Sequence, residues 1–158
     1  MQLIQSPASL STLSLERAVF LAGSIDLGKS IDWQAELALS LADCPGMLLN
    51  PRRAQWDSSW LAQAAFPPFR EQVEWELAAM EAAGMVAFYF APQSQAPVTL
   101  LELGLAARER KAVVCCPPGY WRKGNVDIVC EHYNIPMVTT LEDLSQEIRT
   151  YSLGKPVI

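Results

Sequence analysis

Short, uninterrupted apolar runs alternate with longer segments of helical period along this chain. Ala18-Val19-Phe20-Leu21-Ala22 ends at Gly23 and reads as a buried strand. Asp32 is placed to cap a helix over residues 33–41. Met47-Leu48-Leu49 is a second strand, closed by Asn50-Pro51. After a polar stretch holding Trp56 and Trp60, Pro67-Pro68 opens a helix over about residues 69–83, which Gly84 ends. The remaining pattern predicts strands at 85–90, 112–116 and 136–138 and helices at 100–110, 125–133 and 141–151.

Continuously apolar strands alternating with helices imply a parallel sheet covered on both faces. Right-handed crossovers make it doubly wound, with five strands. The class is therefore α/β. Residues 1–17 read as an N-terminal arm, and residues 18–158 as one domain. There is no internal repeat. Ligands of such sheets bind at the carboxyl ends of the strands, which here are residues 23–26, 50–53, 91–99 and 117–125.

Composition narrows the function classes. At 158 residues with 51% hydrophobic and 18% charged residues, the chain can build a core without staples. A net charge of −5 argues against binding a nucleic-acid polymer, which needs clustered Lys and Arg. No apolar run reaches the roughly 20 residues that span a bilayer, and Met1 to Ser14 does not resemble a signal peptide. The expected setting is the cytoplasm, with no membrane partner. Cys44, Cys115, Cys116 and Cys130 form no C-x-x-C pair, so they read as buried free thiols rather than metal ligands. No cofactor or metal is expected.

Two carboxylates stand out. Glu102, in Leu101-Glu102-Leu103-Gly104, is surrounded by apolar and small residues and is expected in the first turn of its helix, where the dipole favours an anion. The plain alternative is a capping interaction. Gly104 suggests a close backbone approach, because Gly within a helix costs roughly 1 kcal/mol against Ala. Glu76 lies on or beside an apolar stripe of Val73, Leu77 and Met80, with Glu74 and Glu81 turned toward solvent. A carboxylate on a core-facing side needs a partner or a task.

The turn Gly23-Ser24-Ile25-Asp26-Leu27-Gly28-Lys29-Ser30 formally satisfies G-x-x-x-x-G-K-[ST]. No strand end supplies the acidic residue that would hold Mg²⁺, and Asp26 would repel phosphates, so a simple phosphate or sugar-hydroxyl turn fits better. Asn50-Pro51-Arg52-Arg53 with Trp56 offers forked cations and a stacking ring, or simply a surface loop with a structural Trp. Asn125 is a polar candidate near Trp121, or a plain helix cap. His132, the one histidine, sits within a predicted helix away from the strand ends and carries no expected role.

Taken in order, Phe20-Leu21-Ala22-Gly23-Ser24-Ile25, Asn50-Pro51-Arg52-Arg53, Glu71 to Glu76, Phe88-Tyr89-Phe90 and Leu101-Glu102-Leu103-Gly104 resemble the nucleoside 2-deoxyribosyltransferase-like family over most of residues 18–140. The resemblance implies a flavodoxin-like fold and cleavage of the N-glycosidic bond of a 2′-deoxynucleoside or nucleotide. By that resemblance Glu102 matches the nucleophile, and Glu76 a position, usually Asp, that holds the sugar or handles the proton. Gly23 and Ser24 match a turn that approaches a 5′-phosphate in related hydrolases. Asn125 matches an Asn contributed by a neighbouring subunit, so a homo-oligomer is expected. The chain departs from relatives at Ala96, where they carry Asp or Ser (Ser94 or Thr99 are the substitutes at hand), and at Gly84, where they often carry Asp. Three functions follow: deoxyribosyl transfer through a covalent Glu intermediate, hydrolysis by the same residues, or nucleotide sensing without catalysis.

Overall fold

Strands that are apolar on both sides must be covered on both faces, and the described residues do so with five helices around a parallel sheet. The computed structural model describes residues 1–25, 32–57 and 59–154. In chain order the elements are β1 (Gln2–Gln5), β2 (Ala18–Gly23), α1 (Trp33–Ser40), β3 (Met47–Asn50), α2 (Pro67–Ala82), β4 (Met85–Tyr89), α3 (Pro97–Ala106) with a 3₁₀ turn (Ala107–Glu109), β5 (Ala112–Cys115), α4 (Lys123–Tyr133), β6 (Met137–Val138) and α5 (Leu141–Ser152). The sheet order is β1-β3-β2-β4-β5-β6, and every pairing is parallel.

Leaving β1 aside, this is the flavodoxin-like order, with its switch point where β2 is flanked by β3 on one side and β4 on the other. The sheet has six strands rather than the expected five. The extra strand comes from the N-terminal segment, whose Gln2-Leu3-Ile4-Gln5 pairs with Met47-Leu48-Leu49-Asn50. Its pattern suits an edge: Ile4 is buried and Leu3 is exposed.

Side chains alternate between two cores along each strand. Phe20, Phe88 and Val114 pack under α2, α3 and α4 with Trp75, Met80, Leu103 and Val126. Val19, Leu21, Ala87 and Val113 pack under α1 and α5 with Trp33, Leu37, Leu144 and Ile148. Asp32 caps α1 as its position predicts, accepting from the Ala35 amide at 3.0 Å. All four cysteines are free and buried. Burial pushes the thiols of Cys115 and Cys130 up to about 12 and that of Cys116 to about 11, so they behave as core residues. Among the described residues, no helix is long and apolar enough to cross a membrane.

Three local expectations change. α3 starts at Pro97, since Pro is well suited to a first helical turn, so Glu102 lies in the second turn and no acidic residue occupies the first. α4 starts at Lys123, with Arg122 as its cap residue, so Asn125 is inside the first turn and is not the cap. The buried face of α2 runs through Gln72, Trp75, Ala79 and Met80, whereas Leu77 is exposed and Val73 half-buried.

Two glycines bracket what the packing tolerates. A Cβ on Gly84 would fall 1.9 Å from the Glu16 carbonyl oxygen and 2.1 Å from the Tyr151 hydroxyl, which donates to that same carbonyl at 3.1 Å. Any side chain is shut out there. Gly104 is the reverse: a Cβ would meet nothing within 4 Å, so no backbone approaches it in the described chain. Gly84→Ala is therefore expected to cost about 3 kcal/mol in urea unfolding. Gly104→Ala is expected to gain about 0.5–1 kcal/mol through helix propensity alone.

Candidate active site

The two sequence-predicted carboxylates, Glu76 and Glu102, meet at the seam between α2 and α3, on the sheet face shared by α4. Glu102 projects from the buried side of α3, beside Leu103 and Ala106, and is only 9% exposed. Among the described residues its carboxyl has neither a hydrogen-bond donor nor a cation. Burial, and after it the charge of Glu76, pushes its pKa up to about 8. Glu76 is half-buried on the core side of α2. Burial raises its pKa as well, but a hydrogen bond from Gln72 opposes the rise. The seam thus holds two carboxyls that feel each other, and only one of them has a donor.

That donor is tightly held. Gln72 Nε2 donates to the Pro51 carbonyl at 2.7 Å and to Glu76 Oε1 at 2.9 Å, and the Ser6 hydroxyl donates to Gln72 Oε1 at 2.8 Å. Ser6 and Gln72 are both buried. Ser6 is also tied to the end of β3, its amide donating to the Asn50 carbonyl at 3.0 Å. Neither residue stands out in the sequence as polar-and-buried. The available signal for Gln72 was its place one turn before Glu76, in register with Trp75 and Ala79.

The switch point places Gly23 and Ser24 between β2 and β4. A Cβ on Gly23 would lie 2.6 Å from both the Trp33 ring and the Tyr89 carbonyl, so only Gly allows the close approach. Ser24 is buried: its amide donates to the Tyr89 carbonyl at 3.1 Å, its hydroxyl accepts from the Ala91 amide at 3.1 Å, and Trp33 Nε1 donates to its carbonyl at 3.0 Å. Asp26 and the rest of the formal phosphate-loop string through Ser30 lie outside the described residues.

Asn50, also buried, turns the chain at the end of β3, its Oδ1 accepting from the Arg52 amide at 2.9 Å. Arg52 Nε lies 3.4 Å from Asp32, while its Nη1 is buried without a partner among the described residues. Trp56 packs its ring on Trp60, with centroids 5.0 Å apart, and its Nε1 is likewise buried and unpartnered. Arg53 is taken up by Glu71 at 2.7 Å and by the Trp60 face. On the far side, Ser94 is buried in the turn that leads into α3. Tyr120 and Trp121 both donate to the Gln95 carbonyl, at 2.9 and 3.1 Å, and so fix where α3 begins. Ala96 itself is left-handed, with φ 42°.

Asn125 stands apart. It is exposed and lines a groove of about 330 Å³ with Leu100, Leu103, Gly104, Arg122, Val126 and Val129. At about 100° per residue, Leu100 and Gly104 lie across α3 from Glu102, so the fold does not bring Asn125 to the carboxylates of its own chain. A residue that sequence reading passed over is Gln34, on the buried side of α1 two residues after Asp32. It is fully buried, and among the described residues both polar atoms of its side chain are without partners. Among the described residues, no group of three His, Cys, Asp or Glu is arranged to hold a metal ion.

The model of the family described as nucleoside 2-deoxyribosyltransferase like matches residues 16–120, which include Gly23, Asn50, Glu76 and Glu102 but not Asn125. Among solved structures the chain is similar to a conserved protein from Enterococcus faecalis V583, with a TM-score of 0.57 and 14% identity over 84% of this chain and 97% of that one. At that identity the likeness speaks for the fold. No curated protein matches the sequence.

The raised pKa of Glu102 has a direct thermodynamic consequence. The folded chain binds this proton more tightly than the unfolded chain, so the stabilisation is complete below about pH 4.5 and is lost as pH rises toward about 8. Glu102→Gln cannot ionise. In urea titrations it should exceed the parent's stability by a margin that is small at about pH 4.5 and grows to a few kcal/mol by about pH 8. A margin independent of pH would contradict the assignment.

Proposed function

We propose that this chain, which belongs to the nucleoside 2-deoxyribosyltransferase-like family, cleaves the N-glycosidic bond of a 2′-deoxynucleoside and passes the deoxyribosyl group to another base through a covalent intermediate on Glu102. The observation that carries the reading is Glu102 itself: a buried carboxyl with no hydrogen bond or cation among the described residues, close enough to Glu76 to feel its charge. Such a group lowers stability near neutral pH, and a destabilising arrangement is kept where it does work.

The chemistry follows from charge. As the C1′–N bond breaks, its electron pair leaves with the base, which takes up a proton, and C1′ becomes oxocarbenium-like. A carboxylate oxygen of Glu102 then bonds to C1′, and an incoming base nitrogen displaces it in the second half-reaction. With its pKa pushed up to about 8, Glu102 holds a proton near neutral pH. Glu102 must give it up before attacking, and Glu76 is the adjacent group able to receive it and relay it toward the leaving base. Gly23 and Ser24 bring backbone close to the sugar. Arg52 Nη1 and Trp56 Nε1 are donors only, which suits an acceptor-rich part of the substrate. Hydrolysis by the same residues differs only in water reaching the intermediate.

The assembly is a homo-oligomer in this reading. Leu101 and Ile128, 66% and 69% exposed, lie on α3 and α4, the two helices that form the groove Asn125 lines, and a second copy packed there would deliver Asn125 to a neighbour's site. Four free cysteines suit the reducing cytoplasm.

The test is a chromatographic assay with each deoxynucleoside and deoxynucleotide, with and without an acceptor base. New nucleosides are expected with acceptor present. Free sugar alone would mean a hydrolase, and binding without product would overturn catalysis. Glu102→Gln should lower turnover at least a thousandfold, on the order seen for lost nucleophiles, and Glu76→Gln on the order of a hundredfold. Mass spectrometry of the parent should show one deoxyribosyl adduct that the Glu102→Gln variant lacks.

A further inference from the structure

The Gln72 carboxamide has a forced orientation. The Pro51 carbonyl can only accept, so the amide nitrogen must face it. The second N–H then meets Glu76 Oε1, and the amide oxygen is left for the Ser6 hydroxyl. A flipped amide would set oxygen against the Pro51 and Glu76 oxygens together. Three contacts from three separate parts of the chain, the end of β1, the end of β3 and α2, therefore converge on one side chain. That side chain is buried and touches only one of the two carboxyls.

We propose that Gln72, locked by Ser6 and the Pro51 carbonyl, is the positioning residue for Glu76: it commits one carboxylate oxygen and gives Glu76 the ionised part in the pair. The inference rests on reading Glu76 and Glu102 as the reacting groups. A donor fixed on Glu76 and none on Glu102 breaks the symmetry between two neighbouring carboxyls. The proton they share rests on Glu102 in the free enzyme, and the uncommitted oxygen of Glu76 is left to take it. Among the described residues on the surrounding elements, the other titratable groups are Glu102 on α3 and Arg52 and Arg53 after β3. The two arginines lie against Asp32 and Glu71. The hydrogen bond from Gln72 is thus the favourable contact that Glu76 receives in its charged form.

Gln72→Met keeps the volume and removes all three hydrogen bonds, whereas Ser6→Ala removes one support and Ser6→Thr retains it. Trp75→Phe serves as a structural control, because Trp75 is on the same helix as Glu76 and the change breaks a 2.8 Å bond from Trp75 Nε1 to the Ala8 carbonyl of the N-terminal segment without touching Glu76. Carbon-13 NMR of protein labelled at the Glu carboxyls reads the titration of Glu76 without need of substrate. The midpoint should rise by about one unit in Gln72→Met, by less in Ser6→Ala, and not in Ser6→Thr or Trp75→Phe. In the transfer assay Gln72→Met should lose turnover by on the order of tenfold to a hundredfold with KM nearly unchanged. Should Gln72→Met fail to fold, Ser6→Ala carries the same test. Unchanged Glu76 titration and turnover in the folded variants would overturn the inference while leaving the enzymatic reading in place. Absence of any N-glycosidic activity in the parent would overturn that reading, and the NMR titration would still decide the role of Gln72.

Discussion

A carboxyl taken out of water must be neutral, paired with a cation or supplied with hydrogen bonds. Among the described residues, the seam between α2 and α3 holds two such groups with one N–H between them. That shortage governs the rest. It makes the pair retain a proton near neutrality, makes the two members unequal, and gives the folded chain a stability that falls as the pH rises past the ordinary carboxylate range. A core built for stability alone would place Leu or Met at position 102, as it does at neighbouring position 103.

The fold supports this arrangement from the sheet edge. The switch point beside β2 requires Gly23, because Trp33 and the Tyr89 carbonyl occupy the space of a side chain. The path into α2 is held by Arg53 on Glu71 and Trp60 and by the Trp56, Trp60 and Phe66 rings. The path into α3 is held by Tyr120 and Trp121 on the Gln95 carbonyl, and Ala96 accepts a left-handed backbone to complete it. Both helices that bear a carboxylate therefore begin in loops anchored by aromatic and Arg side chains. This rigid mounting is what a site needs if two acids are to keep their spacing.

Much of this was legible in the sequence, for identifiable reasons. Apolar runs bounded by Gly, Asn or Pro marked the central strands, because burial on both faces leaves no room for polar residues. Glu76 and Glu102 stood out because each interrupts an apolar neighbourhood. What escaped reading depends on contacts between distant residues. Gln2 to Gln5 reads as tail until β3 is beside it. Gln72 reads as a solvent residue until Ser6 and Pro51 close on it. Gly104 suggested contact and instead lines open space, since composition cannot tell a packed glycine from a bare one. Asn125 shares the groove side of α3, and helix periodicity keeps it away from Glu102 within one chain.

The placement of Ser6 gives the N-terminal strand a consequence in dynamics. β1 has one neighbour in the sheet and four paired residues, so detaching it is a local opening that requires less free energy than unfolding the domain. Each such opening would withdraw the Ser6 hydroxyl from Gln72 while leaving both carboxylates, both helices and the switch point in place. Fraying at the rim of the sheet is thereby linked to the proton balance at its centre, and warming would shift that balance before the cooperative melt begins.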